Sequence, residues 1–89
     1  MTSRTTLRFR KALSSLPEAV RARARIAYQL FSHDPWHPAL QFKQVHPVEP
    51  IYSARVGLGY RALAVREGDV VIWFWIGSHA EYDHLISQR

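Results

Sequence analysis

The sequence predicts an α+β domain, in which two N-terminal helices pack on an antiparallel four-stranded β-meander with a short C-terminal helix. Apolar residues recur at helical spacing up to about residue 33. Two prolines in HDPWHP (residues 33–38) then end the helical pattern. Strand-like segments separated by turn residues follow, so helices and strands are largely segregated along the chain.

The 89 residues have the size and composition of a single globular domain, residues 1–89. The longest apolar stretch, VVIWFWI (residues 70–76), is far too short to cross a membrane, so no membrane partner is expected. The N-terminus lacks the apolar block of a signal peptide, which predicts a cytoplasmic location. The absence of cysteine excludes disulfides, thiolate metal sites and thiol nucleophiles.

Two helices are predicted in the first third of the chain. TTLRFRKALS (residues 5–14) has a weak helical pattern. Ser15 and Glu18 form an S-x-x-E capping box, which predicts that a second helix starts there and runs to about His33. The apolar stripe of this second helix follows i, i+4, i+7 and i+11 and consists of Val20, Ala24, Ala27 and Phe31.

Four strands are predicted after the prolines. They are LQFKQVH (residues 40–46), IYSARVG (51–57), YRALAVR (60–66) and VVIWFWI (70–76). Leu58-Gly59 forms a tight two-residue link between the second and third of these strands. The last strand is apolar at both parities, which predicts that it is central in the sheet or covered on both faces. Strict alternation would place Trp73 and Trp75 together on one face, where core packing is their expected role.

The segment WIGSHAEYDHLI (residues 75–86) places a histidine directly after the most apolar strand. Ser78 and Glu81 form a second capping box, which predicts a helix over residues 79–87 with His79 as its first residue. His79 would then lie among free backbone N–H groups at the positive helix end, where imidazolium is disfavoured and phosphate is attracted. A neutral histidine beside phosphate is suited to proton transfer on a phosphodiester, and the alternative is a structural residue.

Positive charge is concentrated in the first third of the chain. Residues 1–33 carry seven Arg and Lys against one Glu, a balance of +6. Residues 34–89 carry five basic and six acidic residues, a balance of −1. A concentrated basic surface indicates a partner that is nucleic acid or an acidic protein segment, and a solvated helical face is the alternative.

The five histidines do not predict a metal site. No H-E-x-x-H or similar spacing is present, and His33, His37 and His46 lie beside prolines in predicted loops. The sequence also lacks a glycine-rich phosphate loop and a serine-nucleophile elbow. We therefore expect neither a metal nor another cofactor.

Three segments resemble the RelE/ParE superfamily of bacterial type II toxin–antitoxin systems. They are HPALQFK (residues 37–43), YSARVGLGYRAL (52–63) and VIWFWIGSHAEYDHLI (71–86). The resemblance implies two helices, an antiparallel meander and a final histidine-bearing segment. Members of the superfamily usually begin with an additional β-strand, whereas only MTSR precedes the helical region here, so that strand is expected to be missing.

The resemblance implies one of two activities. RelE-like members are ribonucleases that cut mRNA, usually on the ribosome and without a metal, and ParE-like members inhibit DNA gyrase. Metal-independent cleavage requires groups that transfer protons and cations around the developing phosphorane. The histidine and the hairpin arginines of this sequence favour a metal-independent, ribosome-dependent mRNA interferase. The alternatives are a gyrase inhibitor and a non-catalytic relative that binds an acidic partner.

The resemblance also implies roles for individual residues. His79 matches the catalytic histidine of those nucleases that end in Gly-x-His. Arg61 matches an arginine that holds the scissile phosphate, a role that suits the paired donors of guanidinium. The structural alternative for Arg61 is an ion pair with Glu67 or Glu81 that holds the hairpin.

Other residues complete the predicted site. Arg55 is a second candidate phosphate ligand. Tyr82, one turn beyond His79, could stack on a base, orient the phosphate, or close the helix onto the sheet. The predicted RNA or phosphate contacts outside the catalytic set are Lys43, Arg21, Arg25 and Lys11. The implied partners are mRNA, the ribosome and an antitoxin with an acidic segment that matches the basic N-terminal face.

Overall fold

A mixed five-stranded sheet carries the fold in the computed structural model, which describes residues 1–87. The strands are β1 (Thr2–Thr5), β2 (Lys43–Gln44), β3 (Ile51–Arg55), β4 (Tyr60–Glu67) and β5 (Val70–Ser78). The helices are α1 (Leu7–Ser14), α2 (Glu18–His33) and α3 (His79–Ser87), and a 3₁₀ turn (Pro38–Leu40) precedes β2. The strand order is β1-β5-β4-β3-β2. The α+β class and the antiparallel meander are confirmed.

The expectation that the first strand is missing is wrong. Residues 2–5 form β1, which runs parallel to β5 with Thr2 opposite Val70 and Thr5 opposite Trp73. The side chain of Trp73 also donates from Nε1 to Ser3 Oγ at 2.8 Å. The short polar segment TSRT has no strand pattern of its own, and it becomes a strand because β5 offers it a free edge to pair with. β5 is therefore a central strand, as its apolar character predicted.

The two N-terminal helices begin at different signals from those predicted. Thr6 caps α1, since its Oγ1 accepts the Phe9 N–H at 3.0 Å. Ser15 does not cap α2, so that prediction is wrong. Ser15 instead lies at the C-terminal end of α1, where its hydroxyl donates to the Ala12 carbonyl at 2.8 Å. The tight connection leaves Ser15 closing the first helix, and α2 starts at Glu18 without a side-chain cap.

The hydrophobic core has two parts, one on each face of the sheet. The helices α1 and α2 cover the first part, in which Phe9 and Phe31 pack against Trp73. The helix α3 covers the second, in which Tyr82 packs with Leu63. Since neighbouring strand residues point to opposite faces, Ala62 in the first part and Leu63 in the second place α3 across the sheet from α1 and α2.

A β-bulge in β5 redistributes its aromatic residues between these faces. Leu63 is paired with Trp75 but the next residue, Ala64, is paired with Trp73, so Phe74 is an extra residue in the ladder. Trp73 therefore packs under α1 and α2, whereas Phe74 and Trp75 both pack on the α3 side. The prediction that Trp73 and Trp75 share a face is wrong, because strict alternation does not continue across a bulge.

Two segments before β4 are less regular than predicted. Of the expected strand at residues 40–46, only Lys43–Gln44 is regular strand, and the Val45 N–H adds a bond to the Ile51 carbonyl at 2.9 Å. Before this strand, Gln41 adopts a left-handed conformation with φ 47° and turns the chain. The link between β3 and β4 has four residues rather than two, and Val56 N–H bonds to the Tyr60 carbonyl at 2.9 Å. Gly57 and Gly59 have φ of 60° and 84°, which glycine adopts without strain.

Candidate active site

The capping box at the start of α3 is present as predicted. The Ser78 N–H donates to Glu81 Oε1 at 2.9 Å, and the Glu81 N–H donates to Ser78 Oγ at 3.1 Å. The hydrogen bonds from Ser78 hold the pKa of the Glu81 carboxyl below its usual value. His79 is consequently the first residue of a well-anchored helix that follows β5 without a linker.

The backbone around His79 differs from the expected open anion site. The His79 N–H donates to the Gly59 carbonyl at 2.7 Å, which ties α3 to the β3–β4 turn. The Glu81 N–H is occupied by the cap. Two of the expected free N–H groups of the first turn are therefore already bonded within the chain, so the side chain of His79 is the main group that this position offers to a ligand.

The imidazole of His79 is exposed and oriented by its own helix. Its side chain is 56% exposed, and Nε2 lies 3.5 Å from Asp83 Oδ2, one turn later. The ring stacks on Tyr82 with centroids 5.9 Å apart and planes inclined by 25°. The exposed ring is therefore accessible to a bound molecule, and Asp83 and Tyr82 hold its orientation.

Arg55 and Arg61 face each other across β3 and β4 as a directly paired couple. Arg61 is only 5% exposed. Its Nε and Nη2 donate to Ser53 Oγ at 3.2 and 2.6 Å. Its Nη1 donates to Gln41 Oε1 at 3.2 Å, and Nη2 donates to the Gln41 carbonyl at 3.4 Å. Four donor–acceptor contacts to neutral oxygens thus hold the guanidinium in place.

Within residues 1–87, no carboxylate lies within ion-pair distance of Arg61. The alternative ion pair with Glu67 or Glu81 is therefore wrong. Burial lowers the pKa of Arg61 and Arg55 adds to the lowering, while Tyr82 and Asp83 act in the opposite direction. The guanidinium still remains charged at neutral pH. A buried cation without a paired carboxylate retains its attraction for an anionic ligand.

Arg55, Arg61 and His79 line one open cavity of about 280 Å³ beside the β3–β4 turn. The other lining residues are Gln41, Gly57, Gly59 and Tyr60. Arg55 is half-buried and its Nε donates to the Gly57 carbonyl at 3.3 Å, whereas its terminal nitrogens bond to no group among the described residues. The described lining contains two guanidinium groups, one imidazole and no carboxylate. Such a lining favours a phosphate-sized anion.

Tyr82 lies behind this cavity rather than in it. Its ring is 8% exposed and packs against Ile51 and Leu63. The guanidinium carbon of Arg61 lies 5.2 Å from the centroid of the Tyr82 ring, at a distance typical of a cation–π contact. Tyr82 therefore contacts both Arg61 and His79, and of its predicted roles the geometry favours closing α3 onto the sheet.

The other predicted phosphate contacts do not lie at this cavity. Arg21 and Arg25 both pair with Glu18 on α2, Arg25 at 3.6 Å. Lys11 is exposed at the end of α1, and Lys43 is exposed on the short edge strand β2. The charge-rich helices cover one face of the sheet, whereas His79 starts the helix on the other.

Two residues of the site region were not identified from the sequence. Arg23 packs its side chain on Gly57, where an added Cβ would overlap the Arg23 stem, and it lines a second groove next to Arg55. The glycine in the hairpin was the available signal for that close approach. Gln41 lines the cavity and accepts from Arg61, and nothing in its sequence context predicts either contact.

Neither a metal site nor a membrane-spanning helix was found in the part of the chain that the structure describes. No group of three or more His, Asp or Glu among residues 1–87 is arranged to hold a metal ion. No helix in that range is long and apolar enough to cross a membrane.

Comparisons with known structures agree with the observed fold. The RelB-RelE antitoxin–toxin complex from Methanococcus jannaschii contains a chain with TM-score 0.72 and 22% identity, covering 91% of this chain and 96% of that one. YafQ from E. coli strain BL21(DE3) has TM-score 0.70 at 9% identity, covering 90% and 94%. The RelBE2 complex from Mycobacterium tuberculosis has TM-score 0.67 at 24% identity, covering 88% and 96%.

Comparison with curated protein sequences finds no match. Residues 18–84 match the family described as ParE-like toxin domain, which includes the meander, the cavity and His79. The matched region is most of the chain and contains every strand except β1. The chain therefore belongs to the ParE-like toxin domain family.

Proposed function

We propose that this toxin is an endoribonuclease that cuts mRNA on the ribosome and so blocks translation. The observation that carries the proposal is the shared cavity of Arg55, Arg61 and His79, which contains no described carboxylate. Two fixed cations beside an exposed imidazole supply what cleavage of a phosphodiester needs, namely charge stabilisation and a group that transfers protons. An RNA phosphate is the ligand whose charge and size suit this lining.

The proposed reaction uses the 2′-hydroxyl of the substrate as nucleophile. The 2′-oxygen bonds to phosphorus as the P–O5′ bond breaks, which leaves a 2′,3′-cyclic phosphate and a free 5′-hydroxyl. His79 either accepts the proton of the 2′-hydroxyl or donates one to the departing 5′-oxygen, and solvent water exchanges the other proton. Asp83 Oδ2, 3.5 Å from Nε2, holds the orientation of the imidazole for either role. Arg55 binds the non-bridging oxygens of the phosphate, since its terminal nitrogens remain available.

Arg61 and Tyr82 support these groups in the proposal. Arg61 has one N–H left after four contacts to Ser53 and Gln41, so it adds one direct phosphate contact at most together with its charge. Tyr82 orients the imidazole through ring stacking and separates it from the buried guanidinium.

We further propose partners outside the cavity. The helix residues Lys11, Arg21 and Arg25, with Lys43 on the sheet edge, contact ribosomal RNA in the cytoplasm. Proteins of similar fold were solved as RelB-RelE complexes, which supports a cognate antitoxin for this chain. The acidic segment expected in that antitoxin would pair with the basic face of α1 and α2.

Induced expression in bacteria tests the proposed function. Wild type is compared with His79→Ala, Arg55→Ala and Arg61→Ala, while growth and mRNA ends are followed in the same cultures by primer extension. We expect wild type to arrest growth and produce new mRNA ends, and His79→Ala to abolish both. His33→Ala, another exposed histidine on a helix, is the matched control and should retain both effects.

The family description supports a second function, inhibition of DNA gyrase, because the matching family is named ParE-like. That function relies on surface contacts rather than on proton transfer by His79. Growth arrest with intact mRNA, a DNA-damage response and full activity of His79→Ala would establish it and reject the nuclease. Absence of arrest in every strain would instead indicate a non-catalytic relative that binds an acidic partner.

A further inference from the structure

We propose that Gln41 is a substrate-contacting residue of this cavity, and that its carboxamide N–H group binds a phosphate oxygen of the RNA strand. Arg61 acts as a positioning residue that holds this carboxamide. The inference rests on the proposed nuclease function and assigns a role to a residue that the resemblance does not indicate.

The position of Gln41 is the first observation. It follows the 3₁₀ turn and has a left-handed backbone, with φ 47° and ψ 43°. Among residues 1–87, every other residue with positive φ is glycine. A left-handed conformation disfavours a side chain with a Cβ, so the surrounding contacts must hold Gln41 there. Gln41 is exposed, yet its side chain lines the cavity beside Arg55 and His79.

The bond to Arg61 determines which end of the carboxamide faces the cavity. Guanidinium is only a donor, so the group that Arg61 Nη1 contacts at 3.2 Å must be the carboxamide oxygen. Arg61 also donates to the Gln41 backbone carbonyl at 3.4 Å, which holds the residue at two points. The remaining polar group of the side chain is its NH₂, which has no protein partner among the described contacts.

The chemistry of the neighbours identifies the ligand atom. A fixed NH₂ group offers two donors and can bind only an acceptor. Arg55 and His79, two further polar residues of the lining, also present donors or positive charge. Three convergent donors match the non-bridging oxygens of a phosphate, which accept several hydrogen bonds at once. Arg61 therefore acts on the substrate through Gln41 as well as through its charge.

Two substitutions separate the side-chain donor from the backbone conformation. Gln41→Gly removes the carboxamide but relieves the left-handed strain, so the protein should melt at an unchanged or higher temperature. Gln41→Glu keeps an oxygen for Arg61 and replaces the NH₂ with an anionic oxygen, which repels phosphate. Gln29→Glu adds the same charge on exposed α2 and is the matched control.

The cleavage test uses mapped mRNA ends from induced cultures, with melting curves of the purified variants. We expect Gln41→Gly and Gln41→Glu to lower cleavage about 10- to 100-fold with intact folding, and Gln29→Glu to leave it unchanged. Wild-type cleavage by both folded Gln41 variants would overturn the inference. If Gln41→Gly loses cleavage and Gln41→Glu retains it, only the side-chain oxygen that accepts from Arg61 matters, and the donor role of the NH₂ is overturned. A changed nucleotide preference at an unchanged total rate would overturn the phosphate assignment.

A second measurement separates this inference from the proposed function. Binding of the purified proteins to a 2′-O-methyl RNA oligonucleotide, which cannot be cleaved through its 2′-oxygen, is followed by fluorescence anisotropy. If wild type makes no mRNA ends but binds this RNA, and both Gln41 variants lose the binding, the phosphate contact stands and the nuclease fails. If wild type neither cleaves nor binds, both are overturned.

Discussion

The arginines of α2 and those of the sheet illustrate two different uses of the same side chain. Arg21 and Arg25 project from a helix and share a single carboxylate, Glu18. Arg55 and Arg61 are paired across two strands, and Arg61 is bonded only to neutral oxygens. The helix arginines are partly neutralised by their own helix, whereas the sheet arginines retain their charge beside a cavity.

This difference shows why charge counted along a sequence is a poor guide to a site. The N-terminal third carries a balance of +6, yet exposed charges there are screened by salt and contribute little per pair. The sheet adds only two of the twelve basic residues to the cavity, but it places them side by side in partly desolvated surroundings. Placement thus matters more than number for binding a single phosphate.

Among the arginine substitutions, Arg55→Ala is expected to have the largest effect on cleavage. Removing one cation that binds the transition-state charge should lower the rate about 100- to 1000-fold at saturating ribosomes. Arg25→Ala, the helix counterpart, should change the rate only a few-fold, and less at high salt. Quantified mRNA ends from a reconstituted translation reaction measure both. Equal losses in the two variants would remove the distinction between the two arginine regions.

Arg61→Ala should have the largest effect on stability. The substitution leaves Ser53 Oγ and the Gln41 oxygens without their donor and opens a void beside Tyr82, at a cost of about 2–4 kcal/mol. Arg55→Ala, with a single bond to the Gly57 carbonyl, should cost less than about 1 kcal/mol. Urea unfolding followed by circular dichroism measures both. An unchanged midpoint for Arg61→Ala would mean that its contacts add no net stability.

The caps of the helices provide a smaller test. Ser78→Ala removes the hydroxyl that accepts the Glu81 N–H, and should lower the free energy of unfolding by about 1 kcal/mol. Ser15 has the same S-x-x-E spacing to Glu18 but caps no helix N-terminus. Ser15→Ala should therefore lower the free energy of unfolding less than Ser78→Ala does. Equal losses in denaturant titrations of the two variants would contradict this assignment.

The smallest expected effect is on the melting temperature at acidic pH. Hydrogen bonds from Ser78 lower the pKa of Glu81 below its ordinary 4.5, so folding favours the ionised carboxylate. This stabilisation is fully present above about pH 4.5 and is lost as the pH falls through the lower folded-state pKa. Glu81→Gln should flatten that part of the melting-temperature profile. Glu18→Gln should do the same, since Arg21 and Arg25 lower the pKa of Glu18.

Local patterns predicted α2, the antiparallel meander and α3 well. Ala24, Ala27 and Phe31 of the predicted stripe pack in the core, because spacing alone decides which side of a helix is apolar. Ser78 and Glu81 are close in sequence, so their reciprocal cap could be recognised from four residues. The same kind of pattern at Ser15 was misleading, because the competing end of α1 lies directly beside it.

Local sequence patterns predicted only some of the residues of the site. His79, Arg55 and Arg61 were predicted as candidates from their residue types and the resemblance, and they do line one cavity. Gln41 and Arg23 were missed, since their contacts join positions 20 and 34 residues apart. Lys11, Arg21 and Arg25 were grouped with the site by charge, although the helices that carry them lie on the opposite face.

The sequence by itself determined the elements whose signals are local, together with the histidine that begins α3. Only the tertiary structure decided that MTSR contributes a fifth strand, that a bulge separates Trp73 from Trp75, and that Arg61 holds Gln41 rather than a carboxylate. The physical reason is that these features depend on a partner strand or side chain that is distant in sequence. Strand pairing and burial of a cation are satisfied by whichever groups the packed sheet brings near.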